Sequence, residues 1–547
     1  MKKIKNSNQK PAKVHLEIQG HRKNPYGILR SSYREGKSIK HKTYGRLTGL
    51  DINQLKLLRA ALQGDVIAKG SKEALKILAS KEYGASVTAI KMAKAEGLDE
   101  AIYSKPEDQW VKDSLAMIAG RLIYQGSKLT LSHNWQNTCL WELCGITGPV
   151  DVDKHCYLAM DKLYKRKNAI EKKLAKKHLR EGQLILYDIT SSYMEGEYVD
   201  SEIVKYGYNR DQKKGHAQIV IGLICNDKGC PVGVEIFPGN TQDATTVMGK
   251  IKEIKEKYEI QDVIFVGDRG MTTHSKIDEI RKEGAKVITA LNHQQIKELL
   301  KQDIIQLGLF DDNNIVEVND PENPEIRYCL CRNPNTAKRE TETRIRLLTK
   351  TKEELKKIQQ SKRKGSDDKL GARVGKVLTK HKMGKFIEWE VKNKEFSFSI
   401  KNDLFNKEES LDGCYIITTD VAKEKLNTND VVKAYKNLAF VEIAFRNLKT
   451  AQLEIRPVYH KYDDRIKCHV FLCMLAYYLQ WHMQQRLVPI FENDGKGKNR
   501  RWTFKSIIDC LKGIRQNRVS LNNIEFDQMT ELTVDQNEII NLLNIRL

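Results

Sequence analysis

The sequence lacks any apolar run long enough to cross a bilayer: its longest, Val470 to Leu479, is about half of the roughly 20 residues a spanning helix needs. The basic amino terminus MKKIKNSNQK is followed by no apolar segment, so no secretory signal is expected. None of the eleven cysteines forms a Cys-x-x-Cys pair, and Cys329 and Cys331 fit alternate positions of a strand better than a zinc site. Buried free thiols in a reducing cytoplasm are the simplest expectation. No internal repeat or low-complexity tract is evident. Acidic residues are in short supply, because 71 Asp and Glu face 94 Lys and Arg and leave a formal charge of +23. Self-repulsion of that size normally goes with a polyanionic partner. With a membrane disfavoured, nucleic acid comes first.

What is present reads as a folded, multidomain chain. Its 547 residues are 40% apolar and 30% charged, which suits three or four domains. Short β-like runs and one helix, with Asp51 as a plausible N-cap, fill residues 1–65. Residues 66–180 read as a helical domain with apolar positions at three-and-four spacing. From 181 to 292 the pattern changes to QLILYD, HAQIVIGLICN, CPVGVEIF, DVIFVGD and KVITALN, with the helical SKIDEIRKEG before the last. Three successive strands followed by strand–helix–strand imply a mixed α/β sheet. Residues 293–410 (IRYCLCR, FIEWEV, EFSFSI) read as a β-rich insertion, and 411–485 resumes the α/β pattern. The basic region 486–547 is expected to be helical from Thr503.

Three acidic residues stand out. Asp188 ends the apolar strand LILYD and Asp268 ends VIFVGD, positions where a sheet fixes a side chain beside an open loop. Either alone could cap a turn. Glu442 lies in the helical DVVKAYKNLAFVEIAFRNLKTAQ, where Tyr435, Leu438, Glu442, Phe445 and Lys449 share one face. A carboxylate on an apolar face needs a partner, and Lys449 could simply be an ion-pair partner. Together the three suit Mg²⁺, which takes carboxylate oxygens and keeps several waters. Two such ions can activate an attacking oxygen and stabilise a leaving one at phosphorus.

With these residues in place the sequence resembles the DDE transposases of bacterial insertion sequences, whose catalytic core is RNase H-like, as in retroviral integrases. The matching segments are YDITSSYMEGE, YGYNRDQKKGHAQIVIGL, FPGNTQDATTV, VGDRGM, the helix around Glu442, LEIRPVYH and RIKCHVFLCMLAYYL, over about residues 183–480. The resemblance extends to the group in which an inserted β-rich domain separates the second Asp from the Glu. It implies catalytic metal ligands at Asp188, Asp268 and Glu442, two Mg²⁺ ions with Mn²⁺ able to substitute, and a dimer that pairs two double-stranded DNA ends. The group's Tyr-x2-Arg-x3-Glu-x6-Lys signature maps to Tyr435, Glu442 and Lys449, with Leu438 in place of the Arg. Tyr435 and Lys449 would then contact DNA phosphates, and Arg446 could substitute for the missing Arg from the next turn.

Arg210, Lys213, Lys214 and Arg269 are further candidates for DNA contact, against the plainer reading of a solvated turn. Trp389 could stack a flipped base of a hairpin intermediate, although packing within its strand is the simpler expectation. Asp243 is expected to support a helix start. Arg456, His460, Arg465 and His469 could face DNA or pack the core. Two other functions remain open: a catalytically silent DNA-binding descendant, and an RNase H-like nuclease or resolvase.

Overall fold

The computed structural model describes residues 14–547 except 22–23, 36–37, 64–74, 209, 212, 214, 243–250, 253, 269–273, 312–313, 362–364, 450–452, 496 and 522–523. Two compact units emerge: residues 1–82 with 514–531, and residues 83–513 with 532–547.

In the smaller unit β1 (Val14–His21), β2 (Asn24–Glu35) and β3 (Ser38–Leu47) form an antiparallel meander. Helix α1 (Ile52–Gln63) follows. Asp51 caps it as expected: Oδ1 accepts from the N–H groups of Asn53 and Gln54 at 2.7 and 2.9 Å, and Gln54 Oε1 accepts from Asp51 N–H at 3.0 Å. Leu16 and Leu55 are buried where α1 meets the sheet, and a Cβ at Gly27 would sit 2.8 Å from Leu16, so only glycine fits there. β4 (Leu75–Glu82) departs from the helical expectation. It is an edge strand of a second sheet, paired with Arg515–Leu521, which in turn pairs with Ile524–Met529. The helical expectation after Thr503 therefore holds for Phe504–Lys512 and Val534–Leu543 but fails between them. Ala, Leu, Lys and Glu favour a helix locally, and a ladder whose partner lies more than four hundred residues away overrides that preference.

In the larger unit, α2 (Gly84–Ala95), α3 (Gln109–Tyr124), α4 (Leu158–Lys165) and α5 (Lys167–His178) lead into the main sheet. β5 (Leu184–Tyr193), β6 (Gln218–Asn226) and β7 (Pro231–Pro238) run antiparallel. β8 (Ile264–Val266) pairs parallel with β5, and β9 (Lys286–Ala290) parallel with β8, with the helix His274–Lys282 between them. The order β7-β6-β5-β8-β9 with these directions is the RNase H-like arrangement. All nine residues of β6 are buried, because the sheet is covered on both faces.

The sheet does not stop where the insertion was expected to begin. β10 (Val316–Asn319) and β11 (Arg327–Arg332) belong to it. The chain leaves it for α6 (Pro334–Gln359), α7 (Asp367–His381) and the two-stranded ribbon of β12 (Ile387–Lys392) and β13 (Glu395–Ile400). It returns with β14 (Cys414–Thr419), which joins β9 to β11. The excursion thus spans about 334–410 rather than 293–410, and it is mainly helical rather than β-rich. It has its own core, in which Leu355, Leu370 and Val374 meet Phe386 and Phe396. Cys329 and Cys331 are both buried because β11 is an interior strand.

After β14 come α8 (Thr428–Lys436), α9 (Leu438–Lys449) and α10 (Asp463–Arg486). The single long helix expected around Glu442 is interrupted at Asn437, whose Nδ2 donates to the Asp227 carbonyl at 3.1 Å. Every residue of α10 from Cys468 to Gln480 is buried, where the helix packs against α3, α4 and β7. The longest apolar run is thus a core helix. Among the described residues no helix is long and apolar enough to cross a membrane.

Candidate active site

The parallel pairing of β5 with β8 positions the first two carboxylates. Its register sets Leu184 beside Ile264, Ile185 beside Phe265 and Leu186 beside Val266. Asp188 and Asp268 each lie two residues beyond the last pair of that ladder, Leu186 and Val266. Asp188 does not end its strand, because β5 continues to Tyr193 against β6; Asp268 lies just past the end of β8. Helix α9 packs across β5 and carries Glu442. Its buried stripe is Leu438, Val441, Ala444, Phe445 and Leu448, and Glu442 is exposed beside it. The expected apolar surround of Glu442 is therefore corrected: its carboxylate is solvated without a partner on its own helix.

Asp188, Asp268 and Glu442 line one cleft of about 320 Å³ together with Tyr435, Lys436, Leu438, Ala439, Asn333 and Tyr415. Burial, together with the charges of Asp268 and Glu442, pushes the Asp188 carboxyl up to about 6, against the Ile189 N–H and Arg210, which lower it. Asp268 itself is exposed and accepts a hydrogen bond from the Tyr435 hydroxyl at 3.2 Å. The donor set is three hard carboxylates that repel one another at an open cleft, which fits a divalent cation such as Mg²⁺. The carboxylate oxygens are not all within 4.8 Å of one another, a separation that waters on a bound ion can span.

Lys449 lies outside this cleft. Its Nζ pairs with Asp211 Oδ1 at 3.2 Å, and Arg456 Nη1 pairs with Asp211 Oδ2 at 3.1 Å. The simple Lys449–Glu442 pair is thus replaced by a pair with Asp211. Burial holds the Lys449 ammonium below its ordinary range, opposed by Asp211 and reinforced by Arg456 and Arg210. Lys449 and Arg456 line a second cleft of about 320 Å³ with Tyr193, Glu195, Glu454, Pro457 and Val458. Lys213 and Arg456 both face the Tyr193 ring, at 5.8 and 4.1 Å from its centroid, so this basic cluster stands beside the strand that carries Asp188. The Arg210 N–H donates to Ser191 Oγ at 3.1 Å, which ties that loop to β5. Arg446 is exposed on α9. Lys214, Arg269 and Asp243 lie outside the described residues.

Among the open alternatives, His460 and His469 are buried and pack the core, while Arg465 holds Asp161 through two hydrogen bonds at 3.2 and 3.1 Å in a partly exposed ion pair. Trp389 goes the other way. It is 39% exposed on the β12–β13 ribbon rather than packed within its strand, because the ribbon covers only one face. Sequence reading missed Lys436, Asn333 and Tyr415. Lys436 follows the expected Tyr435 and could have been suspected; Asn333, the residue after β11, and Tyr415 of β14 are placed by strands whose membership of the sheet no local pattern reveals.

A family model described as the transposase DDE domain matches residues 179–479, more than half of the chain and the segment that contains all three carboxylates. No curated protein matches the chain. Among solved structures, a cryo-electron microscopy structure of the piggyBac transposase synaptic complex with hairpin DNA aligns over 78% of this chain and 76% of that one. Its identity is 8% and its TM-score 0.35, too low to carry an argument. By the family match, the chain belongs to the transposase DDE domain family.

Proposed function

We propose that this chain is an active transposase of an insertion sequence, one that cleaves DNA at its element's inverted ends and joins the freed 3′ hydroxyls to target DNA. The observation that carries this reading is the convergence of Asp188, Asp268 and Glu442 on one cleft, with each aspartate two residues past the last pair of the parallel β5–β8 ladder. Asp188, Asp268 and Glu442 would hold two Mg²⁺ ions. The ions' chemistry is to make a water or hydroxyl nucleophilic and to stabilise the leaving oxygen during in-line displacement. The sheet holds Asp188 in place, and the Tyr435 hydroxyl orients Asp268. Lys436 at the cleft, and the cluster of Arg210, Lys213, Lys449 and Arg456 beside it, would neutralise DNA phosphates on either side of the scissile bond. The excursion at 334–410 would correspond to the inserted domain of the hairpin-forming group, with Trp389 as a stacking surface. A homodimer would bring two ends together.

The silent-descendant reading rests on Leu438, a buried aliphatic residue at the cleft where the group has Arg. Lys436 on the same wall offers a cation in its stead. Cleavage of duplexes bearing the element's own ends, with Mg²⁺ or Mn²⁺, decides between them. Asp268→Ala should retain DNA binding and lose strand cleavage by at least about a thousandfold, a loss typical of catalytic electrostatics. Wild-type protein that binds these ends but never cuts them would favour the silent reading, and normal cutting by Asp268→Ala would remove Asp268 from the mechanism.

A further inference from the structure

Away from the carboxylate cleft, three residues remote in sequence converge. His178 is the last residue of α5, Cys230 lies in the turn between β6 and β7, and His482 is near the end of α10. One ligand atom from each lies within 4.8 Å of the others. We propose that His178, Cys230 and His482 form a structural zinc site that staples the helical layer to the β6–β7 turn of the catalytic sheet.

The surroundings suit a metal better than aromatic packing alone. His482 Nδ1 is 3.2 Å from Glu96 Oε2, while its Nε2 is buried without a hydrogen-bond partner. A carboxylate on one ring nitrogen and a vacant second nitrogen is the pattern by which metal-bound histidines are oriented. His178 Nε2 is 2.9 Å from the Tyr478 hydroxyl. Cys230 is fully buried, and its turn is fixed by Asn226, whose Oδ1 accepts the Cys230 N–H at 2.9 Å. The rings of Tyr478 and Trp481 lie 4.5 and 5.0 Å from that of His482 and wall the site. Lys177 and Arg486 both bind Glu96, at 3.1 and 2.6 Å, so the carboxylate beside His482 is itself held in place by two cations.

Two imidazoles and a thiolate are a borderline-soft set that suits zinc and disfavours magnesium. Around one zinc such atoms stand roughly 3.3–3.6 Å apart, within reach of small side-chain rotations from the present spacing. The fourth position would fall to water. The staple bears on the active site through the same turn. Asn437, at the head of α9, donates to the Asp227 carbonyl, Trp481 Nε1 donates to the Lys228 carbonyl at 3.2 Å, and a Cβ on Gly229 would lie 2.7 Å from Phe440. The turn that zinc would hold is therefore the seat of the helix carrying Glu442.

The test uses the full chain with Asp188→Asn, Asp268→Asn and Glu442→Gln, so that the carboxylate cleft binds no metal. After incubation with zinc chloride and gel filtration, elemental analysis should find close to one zinc per chain. Cobalt substitution should give a thiolate-to-cobalt charge-transfer band. Cys230→Ser in the same background should lose that band and most of the zinc, and His482→Gln should weaken retention at least tenfold. Should Cys230→Ser fail to fold, the cobalt spectrum of its parent still decides. A folded parent, by circular dichroism, that retains no zinc and shows no charge-transfer band overturns the site.

Discussion

At the scale of single residues, the cleft is a place where like charges are held together against their repulsion. Asp188 carries most of that strain, since its carboxyl is pushed from the ordinary 3.8 up to about 6 by burial and by its two acidic neighbours. That change corresponds to at most about 3 kcal/mol of destabilisation once the group is ionised. The folded chain holds this proton more tightly than the unfolded chain, so stability falls as pH rises from about 4 to about 6 and stays lower above that. Asp188→Asn should therefore raise the metal-free stability measured by urea unfolding at pH 8, by about 1–3 kcal/mol, with the gain shrinking toward pH 4. Mg²⁺ should stabilise the wild type and not this variant. Equal stabilities of the two proteins at pH 8 would show that the acids do not strain one another. The meeting of the three carboxylates in one cleft was expected from sequence because two aspartates at apolar strand-like runs and a helix glutamate are unusual together, although Asp188 proved to lie within its strand. That Asp188 is the more enclosed of the three was not legible, because it depends on α9 packing across β5.

At the scale of elements, local patterns revealed β5 to β9, where alternating apolar runs and turn residues agree with the final pairing. They did not reveal β4, which reads as a helix until its partner at residues 515–521 is known, nor the membership of β10 and β11 in the main sheet. Both depend on contacts remote in sequence, and local propensity is weak against them. The excursion's ribbon yields a prediction on the same footing. Trp389 is 39% exposed, so Trp389→Ala should cost no more than about 1 kcal/mol in urea unfolding. The same change should lower the yield of joined product about tenfold, with Trp389→Phe largely restoring it. A stability loss of about 3–5 kcal/mol, as for a packed core aromatic, would contradict the exposed placement.

For the whole molecule, the excess of 94 basic over 71 acidic residues fits a protein whose partner is a polyanion. Binding to element-end DNA should weaken steeply with salt, and Lys436→Ala should reduce the slope of log affinity against log salt by about one. An unchanged slope would place Lys436 away from the phosphates. The central claim is that folding gathers Asp188, Asp268 and Glu442 around catalytic ions. Its most direct test is anomalous diffraction from crystals of the chain bound to an element-end duplex in Mn²⁺. Two manganese peaks are expected in the cleft lined by Asp188, Asp268 and Glu442. Manganese absent from that cleft, or held only by other residues while the DNA is bound, would contradict it.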